Sequence, residues 1–137
     1  MDRIVRIARK VLVGVLTSIE FGDKVDAIFK KYRFVEMQKR AKWSTTIEED
    51  FDYVDGDGKK WHPTFEVELS VTPAGNLVKL EMTGYTCGSW SDYEPDIRDE
   101  QFKYATDDDA ARRIDKFVQK AKAELHRLCK EIEKGNK

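Results

Sequence analysis

Two hydrophobic periods run along the chain, and the places where one gives way to the other predict its elements. From Ile4 through Ala8, Val11, Leu12, Val15, Leu16 and Ile19, apolar residues recur every three or four positions. That spacing predicts an amphipathic helix over about 3–20, with Asp2 able to cap its first turn. Gly22 and Asp23 read as a stop and a new cap, and Val25, Ile28, Phe29 and Tyr32 stripe a short second helix. The stretch 33–42 fits either a continuation of that helix or a first strand.

From Ala41 the period is two. Trp43, Thr45 and Ile47 alternate with polar residues, and Phe51 and Tyr53 continue past an acidic kink. In "TFEVELSV", Phe65, Val67, Leu69 and Val71 share one face, with Glu66, Glu68 and Ser70 on the other, the pattern of a half-buried antiparallel strand. "TPAGN" is turn chemistry, with Gly75 or Asn76 able to take positive φ. "LVKLEMTGY" then returns with Val78, Leu80 and Met82 inward. The turns "VDGDG" and "PAGN" thus punctuate a three-stranded meander. After the loop "TCGSWSDYEPDIRDE", "QFKYAT" offers a fourth strand. Thr106 or Asp107 caps a long helix over about 108–133, buried through Ala110, Ile114, Phe117, Val118, Ala121, Leu125, Leu128 and Ile132. Its opening aspartates favour the positive end of the helix dipole. A sheet solvated on one face needs a cover on the other. The expectation is a two-layer α+β domain over 1–137: helical at 1–33, sheet and loops at 41–105, and a helix over 107–134.

Composition adds bounds to this outline. A chain of 137 residues has room for one core. Charged residues make up 37%, and amide side chains are few, a balance that suits a heat-adapted source. Cys87 and Cys129 make no disulfide framework, which points to a reduced cytoplasmic setting. The early arginines and the run "VLVGVLTSI" imitate a signal peptide. Glu20 interrupts the run and no small-residue cleavage site follows, so secretion is not expected. No apolar run reaches the length of a membrane span.

Candidate chemistry is thin. "DGDG" invites a calcium reading, but with Asp55 first in an EF-hand loop, Lys59 and Lys60 fall at the fifth and sixth positions. Asp-Gly pairs suit a tight hairpin turn instead. "GYTCGSW" resembles the surroundings of a papain-type cysteine without the second cysteine, and Cys87 follows a strand rather than opening a helix. His62, His126, Cys87 and Cys129 lack zinc-ligand spacing. No phosphate loop, dinucleotide fingerprint or nucleophile elbow is present. No cofactor, metal or catalytic residue is assigned.

Charge is sorted along the chain. Residues 1–42 carry 11 Lys/Arg and 5 Asp/Glu, residues 43–110 carry 5 and 17, and residues 111–137 carry 9 and 4. The sheet region is therefore acidic and the helices basic. Part of this polarity is internal compensation between touching layers. The remainder marks a surface: Trp61 follows "DGDG", and Trp90, Asp92, Tyr93, Glu94 and Asp96 lie together in the long loop. Aromatic anchors with a charged rim are what protein interfaces use, and an acidic rim steers toward a basic partner. A rival surface is "KKYRFVEMQKRAKW", whose cations and rings would suit a single-stranded nucleic acid, although Glu36 interrupts it and the nearby acid opposes it.

Over the whole chain, the "DRIVRIARKVLVGVL" start, the acidic meander and the "DDDAARRIDKFVQKAKAEL" helix resemble small early bacteriophage proteins. The resemblance is to phage factors, including those of thermophile phages, that bind bacterial RNA polymerase and redirect or inhibit transcription. It implies binding to a host polymerase or its sigma factor in the host cytoplasm, without catalysis. The alternatives are a single-stranded nucleic-acid binder and an inhibitor of another host complex.

Overall fold

The structure, a computed structural model, describes residues 21–37, 41–72, 76–86 and 96–135. The helix expected over 3–20, the turn at 73–75 and the loop at 87–95 fall outside the described residues. The fold is α+β. In chain order it runs α1 (Asp23–Tyr32), β1 (Val35–Glu36), β2 (Lys42–Glu48), β3 (Tyr53–Val54), β4 (Lys60–Trp61), β5 (Thr64–Thr72), β6 (Leu77–Thr86), β7 (Glu100–Lys103) and α2 (Asp107–Gly135). Five strands form one sheet in the order β1-β2-β5-β6-β7, every neighbouring pair antiparallel. The expected three-stranded meander is β2-β5-β6, and β7 is the expected fourth strand.

Of the two alternatives for 33–42, the described residues take the strand. Arg33 takes φ 60 and ends α1, its N–H reaching Lys30 O and that of Phe34 reaching Phe29 O at 2.8 Å. The rings of Phe34 and Phe29 stack across this C-terminal cap at 4.9 Å. Val35 and Glu36 then pair with Ser44 and Trp43 as a fifth, edge strand. The hairpin corrects the sequence reading. "DGDG" does not join two strands of the main sheet, because β3 and β4 form their own two-stranded ribbon between β2 and β5.

Alternation decides the faces. Trp43, Thr45 and Ile47 of β2, then Phe65, Val67, Leu69 and Val71 of β5, are buried, together with Val78 and Leu80 of β6 and Phe102 of β7. A register shift between Glu66 and Val67 leaves Thr83 unopposed between Met82 and Gly84. Over this face lies α2, which buries Ile114, Phe117, Val118, Ala121, Leu125, Leu128, Cys129 and Ile132. Thr106 caps it, its hydroxyl accepting the Asp109 N–H at 3.1 Å. Phe21, Phe29 and Trp43 form an aromatic cluster with centroids 5.2–5.8 Å apart, which locks α1 to β2.

The cap of α1 is not Asp23, as the sequence suggested. Gly22 occupies the N-cap position, and the carboxylate of Asp107 serves the helix from the start of α2. Asp107 accepts the N–H groups of Gly22 and Lys24, both at 2.7 Å, and the Tyr104 hydroxyl.

Candidate functional site

The acidic linker between β2 and β3, with the β3–β4 ribbon, gathers the features that a binding surface requires. Glu48 to Asp57 contains six carboxylates and no lysine or arginine. Sidedness comes from how the segment is tied down. His62, just past β4, places Nδ1 2.7 Å from Asp52 and 2.9 Å from the Phe51 carbonyl, and Nε2 3.4 Å from Glu48. His126 of α2 holds Glu49 at 3.0 Å. The histidines read as scattered single residues in the sequence are therefore the two pins of one acidic loop.

At the ribbon tip, Asp55 opens the turn and Gly58 completes it at φ 83, where a Cβ would be strained. The Asp55 side chain is filled by its own hairpin: it accepts the N–H groups of Asp57 and Lys59 at 2.9 and 3.0 Å and the Trp61 indole N–H at 2.8 Å. These bonds, the indole's first, hold its carboxyl below the usual carboxylate range. Among the described residues, no three His, Cys, Asp or Glu side chains converge as a metal ion would need.

Between the ribbon and the end of α2 lies a hollow of about 380 Å³ lined by Phe51, Asp52, Tyr53, Val54 and Glu133. Its floor is apolar: the Phe51 and Tyr53 rings lie 6.3 Å apart and close to parallel, and Val54 is 56% exposed. Its rim is acidic on two sides, Asp52 from the linker and Glu133 from the helix. The sequence reading passed over these residues. "EEDFDYVD" did signal acid alternating with aromatic, but only the fold brings Glu133 beside it.

The residues singled out in the sequence are placed unevenly. Trp61 is half-buried on the ribbon, opposite Tyr53, with its indole N–H on Asp55 and Lys59 4.3 Å from its ring centre. It staples the hairpin that carries the hollow. Asp96 is exposed, and its N–H donates to Glu124 of α2 at 2.8 Å, which fixes the chain as it leaves the long loop. Trp90, Asp92, Tyr93 and Glu94 lie outside the described residues. The rival basic segment spends its rings, and two of its lysines, Lys31 and Lys42, face Asp115 and Glu68. Trp43 is buried, Phe34 stacks on Phe29, and Tyr32 is half-buried with its hydroxyl bonded to Asp115. No stacking platform for nucleotides is presented by these three rings.

Much of the strand-region acid is matched within the molecule. Lys42 lies 3.6 Å from Glu68, Lys79 3.7 Å from Glu81, Lys120 3.8 Å from Glu100 and Lys24 3.1 Å from Asp108. Asp50 and Asp57 of the linker and ribbon are exposed and make no ion pair with other described residues. The linker and ribbon thus keep two exposed carboxylates outside the ion pairs that hold their neighbours. The outer sheet face adds a second, shallower depression of about 270 Å³ around Thr46, Thr64, Glu66 and Gly84.

The histidine clamp gives a pH dependence. The hydrogen bond to Asp52, followed by those to Phe51 and Glu48, outweighs partial burial and raises His62 above the ordinary imidazole value. Asp52 is lowered, chiefly by the same bond. The histidine contribution is therefore complete below about pH 6.5 and fades as pH rises through the raised folded value, while that of Asp52 fades in acid. An NMR titration of the imidazole should show a midpoint above that of a free histidine, and His62→Gln should remove the fall in stability as pH rises above about 6.5. A midpoint at or below the free value would dismantle the clamp.

No protein-family model, characterised protein or solved structure matches the chain, so what the site does is argued from its own geometry.

Proposed function

We propose that the protein is a non-catalytic binding factor that docks the acidic ribbon on a basic surface of a larger protein. The observation that carries this reading is the run of six carboxylates without a cation over Glu48–Asp57, held at the surface beside aromatic and exposed aliphatic side chains. Charge of one sign around an apolar centre favours rapid, oriented encounter with a cationic face, and the apolar centre supplies the burial that keeps it there. Trp61 positions the ribbon, and in the sequence Trp90, Asp92, Tyr93, Glu94 and Asp96 repeat the same acidic and aromatic chemistry. The resemblance to phage regulators directs the choice of partner to bacterial RNA polymerase or its sigma factor, where docking would modulate transcription in the host cytoplasm. No helix among the described residues is long and apolar enough to cross a membrane.

Biolayer interferometry against purified RNA polymerase core and sigma factor tests this. Binding is expected to weaken steeply with salt and to be lost on reversing Asp50 and Asp57 together to lysine. Both residues are exposed, so the fold should be kept. Binding unaffected by the reversal would remove the ribbon from the interface, and no binding to either protein would reject the polymerase as partner.

A further inference from the structure

Resting on that reading, we infer that the hollow between the ribbon and the end of α2 receives one arginine side chain of the partner protein. Its two walls make complementary demands. Phe51 and Val54 present apolar surface beside the buried Tyr53, while Asp52 and Glu133, from separate elements, place carboxylates at the rim. A neutral apolar side chain would bring nothing to the carboxylates. A phosphate or carboxylate would be repelled by them. A long cationic side chain satisfies both, with its methylenes on the floor and its charge at the rim.

Arginine suits the site better than lysine. The guanidinium is planar and weakly hydrated, stacks on aromatic faces and forks between two acceptors. The half-buried Phe51 ring, with the buried Tyr53 ring beside it at 27°, offers the stacking surface. A lysine ammonium is a strongly hydrated point charge that loses more on leaving water. Both rim carboxylates already have cations nearby. Asp52 faces Lys60 at 3.5 Å and His62 at 2.7 Å, and Glu133 faces Lys130 at 3.8 Å. The two lysine contacts are exposed and long, so they yield readily to an arriving guanidinium. The His62 bond stays, because it uses one Asp52 oxygen and leaves the other, which now faces Lys60, to the guest.

The test uses the full chain and amide-capped single amino acids, followed by backbone NMR. N-acetyl-arginine amide is expected to shift resonances of Phe51–Val54 and Glu133. N-acetyl-lysine amide should bind several-fold more weakly, and the uncharged citrulline analogue should leave the spectrum unchanged. Glu133→Gln, at an exposed position near the helix end, should abolish the arginine shifts while the rest of the spectrum is kept. Equal binding of citrulline, shifts scattered over Asp50, Asp57 and Glu66 alike, or shifts that survive Glu133→Gln would each overturn the inference. Changes at the same residues on raising the protein concentration without probe would assign the hollow to a second copy and overturn it too. The outcome is separable from the polymerase measurement. Arginine binding without polymerase binding keeps the hollow and rejects the partner. Polymerase binding lost on charge reversal, without arginine binding, keeps the docking ribbon and rejects the hollow.

Discussion

Replacing Asp107 with alanine is expected to cost about 2–3 kcal/mol, because one carboxylate serves two helices at once. It opens α2, where negative charge meets the positive end of the dipole. It also accepts the first free N–H groups of α1 from across the fold, with no cap supplied by α1's own side chains. Gly22 makes this approach possible. A Cβ there would lie 2.2 Å from the Asp107 carboxyl carbon, so Gly22→Ala must push the carboxylate out of the cap. The backbone at Gly22 is extended and open to any residue, so the requirement is one of space. Gly22→Ala should therefore approach the loss of Asp107→Ala, and the double variant should cost much less than the sum of the two. Urea unfolding of all three variants reads this directly, and additive losses would show that the contact carries no stability. There is a pH signature as well. Burial works against the Asp107 carboxylate, yet the Tyr104 hydroxyl and the N–H groups of Lys24, Gly22 and Val25 hold its carboxyl below the usual range. Its contribution is present above about pH 4 and is lost as pH falls through the lower folded value.

This cap shows where the sequence stops being informative. The stripe of α2 and the alternation of β2 and β5 are local signals, repeated over enough residues to outweigh noise, and they reappear in the fold. Asp107 and Gly22 lie 85 positions apart, and no local pattern links them. "GD" before an apolar stripe looks like a self-capped start, so Asp23 was the natural choice. β1 could be read only as one of two alternatives, because a strand of two residues has no period to read. The same limit explains the site. Acid and aromatics were visible in "EEDFDYVDGDG", and the turn character of "DGDG" followed from its residues. The pairing of that segment with Glu133, His62 and His126 depends on how α2 crosses the sheet. Charge counts showed polarity between helices and strands, but not that Lys42, Lys79, Lys120 and Lys24 would each meet an acid.

Phe117→Ala, set beside Val54→Ala, separates the apolar surface that builds the fold from the apolar surface left over for a partner. Phe117 is 1% exposed on the buried stripe of α2, within the core shared with the sheet. Its truncation removes the transfer energy of a ring and leaves a cavity that close-packed neighbours fill only in part, so a loss of about 3–5 kcal/mol is expected. Against a total stability of about 5–15 kcal/mol for a domain of this kind, that is enough to lower the unfolding midpoint sharply. Val54, at 56% exposure, should change stability by no more than about 0.5 kcal/mol. If the ribbon is a docking surface, the order of effects reverses in a binding assay. Val54→Ala should weaken the partner complex while leaving the unfolding curve in place, and Phe117→Ala should retain affinity in whatever fraction stays folded. Paired urea titrations and binding isotherms on the two variants decide it. A stable Val54→Ala protein with undiminished affinity would leave the exposed valine as ordinary surface, and the ribbon's acid would then have to act without an apolar centre.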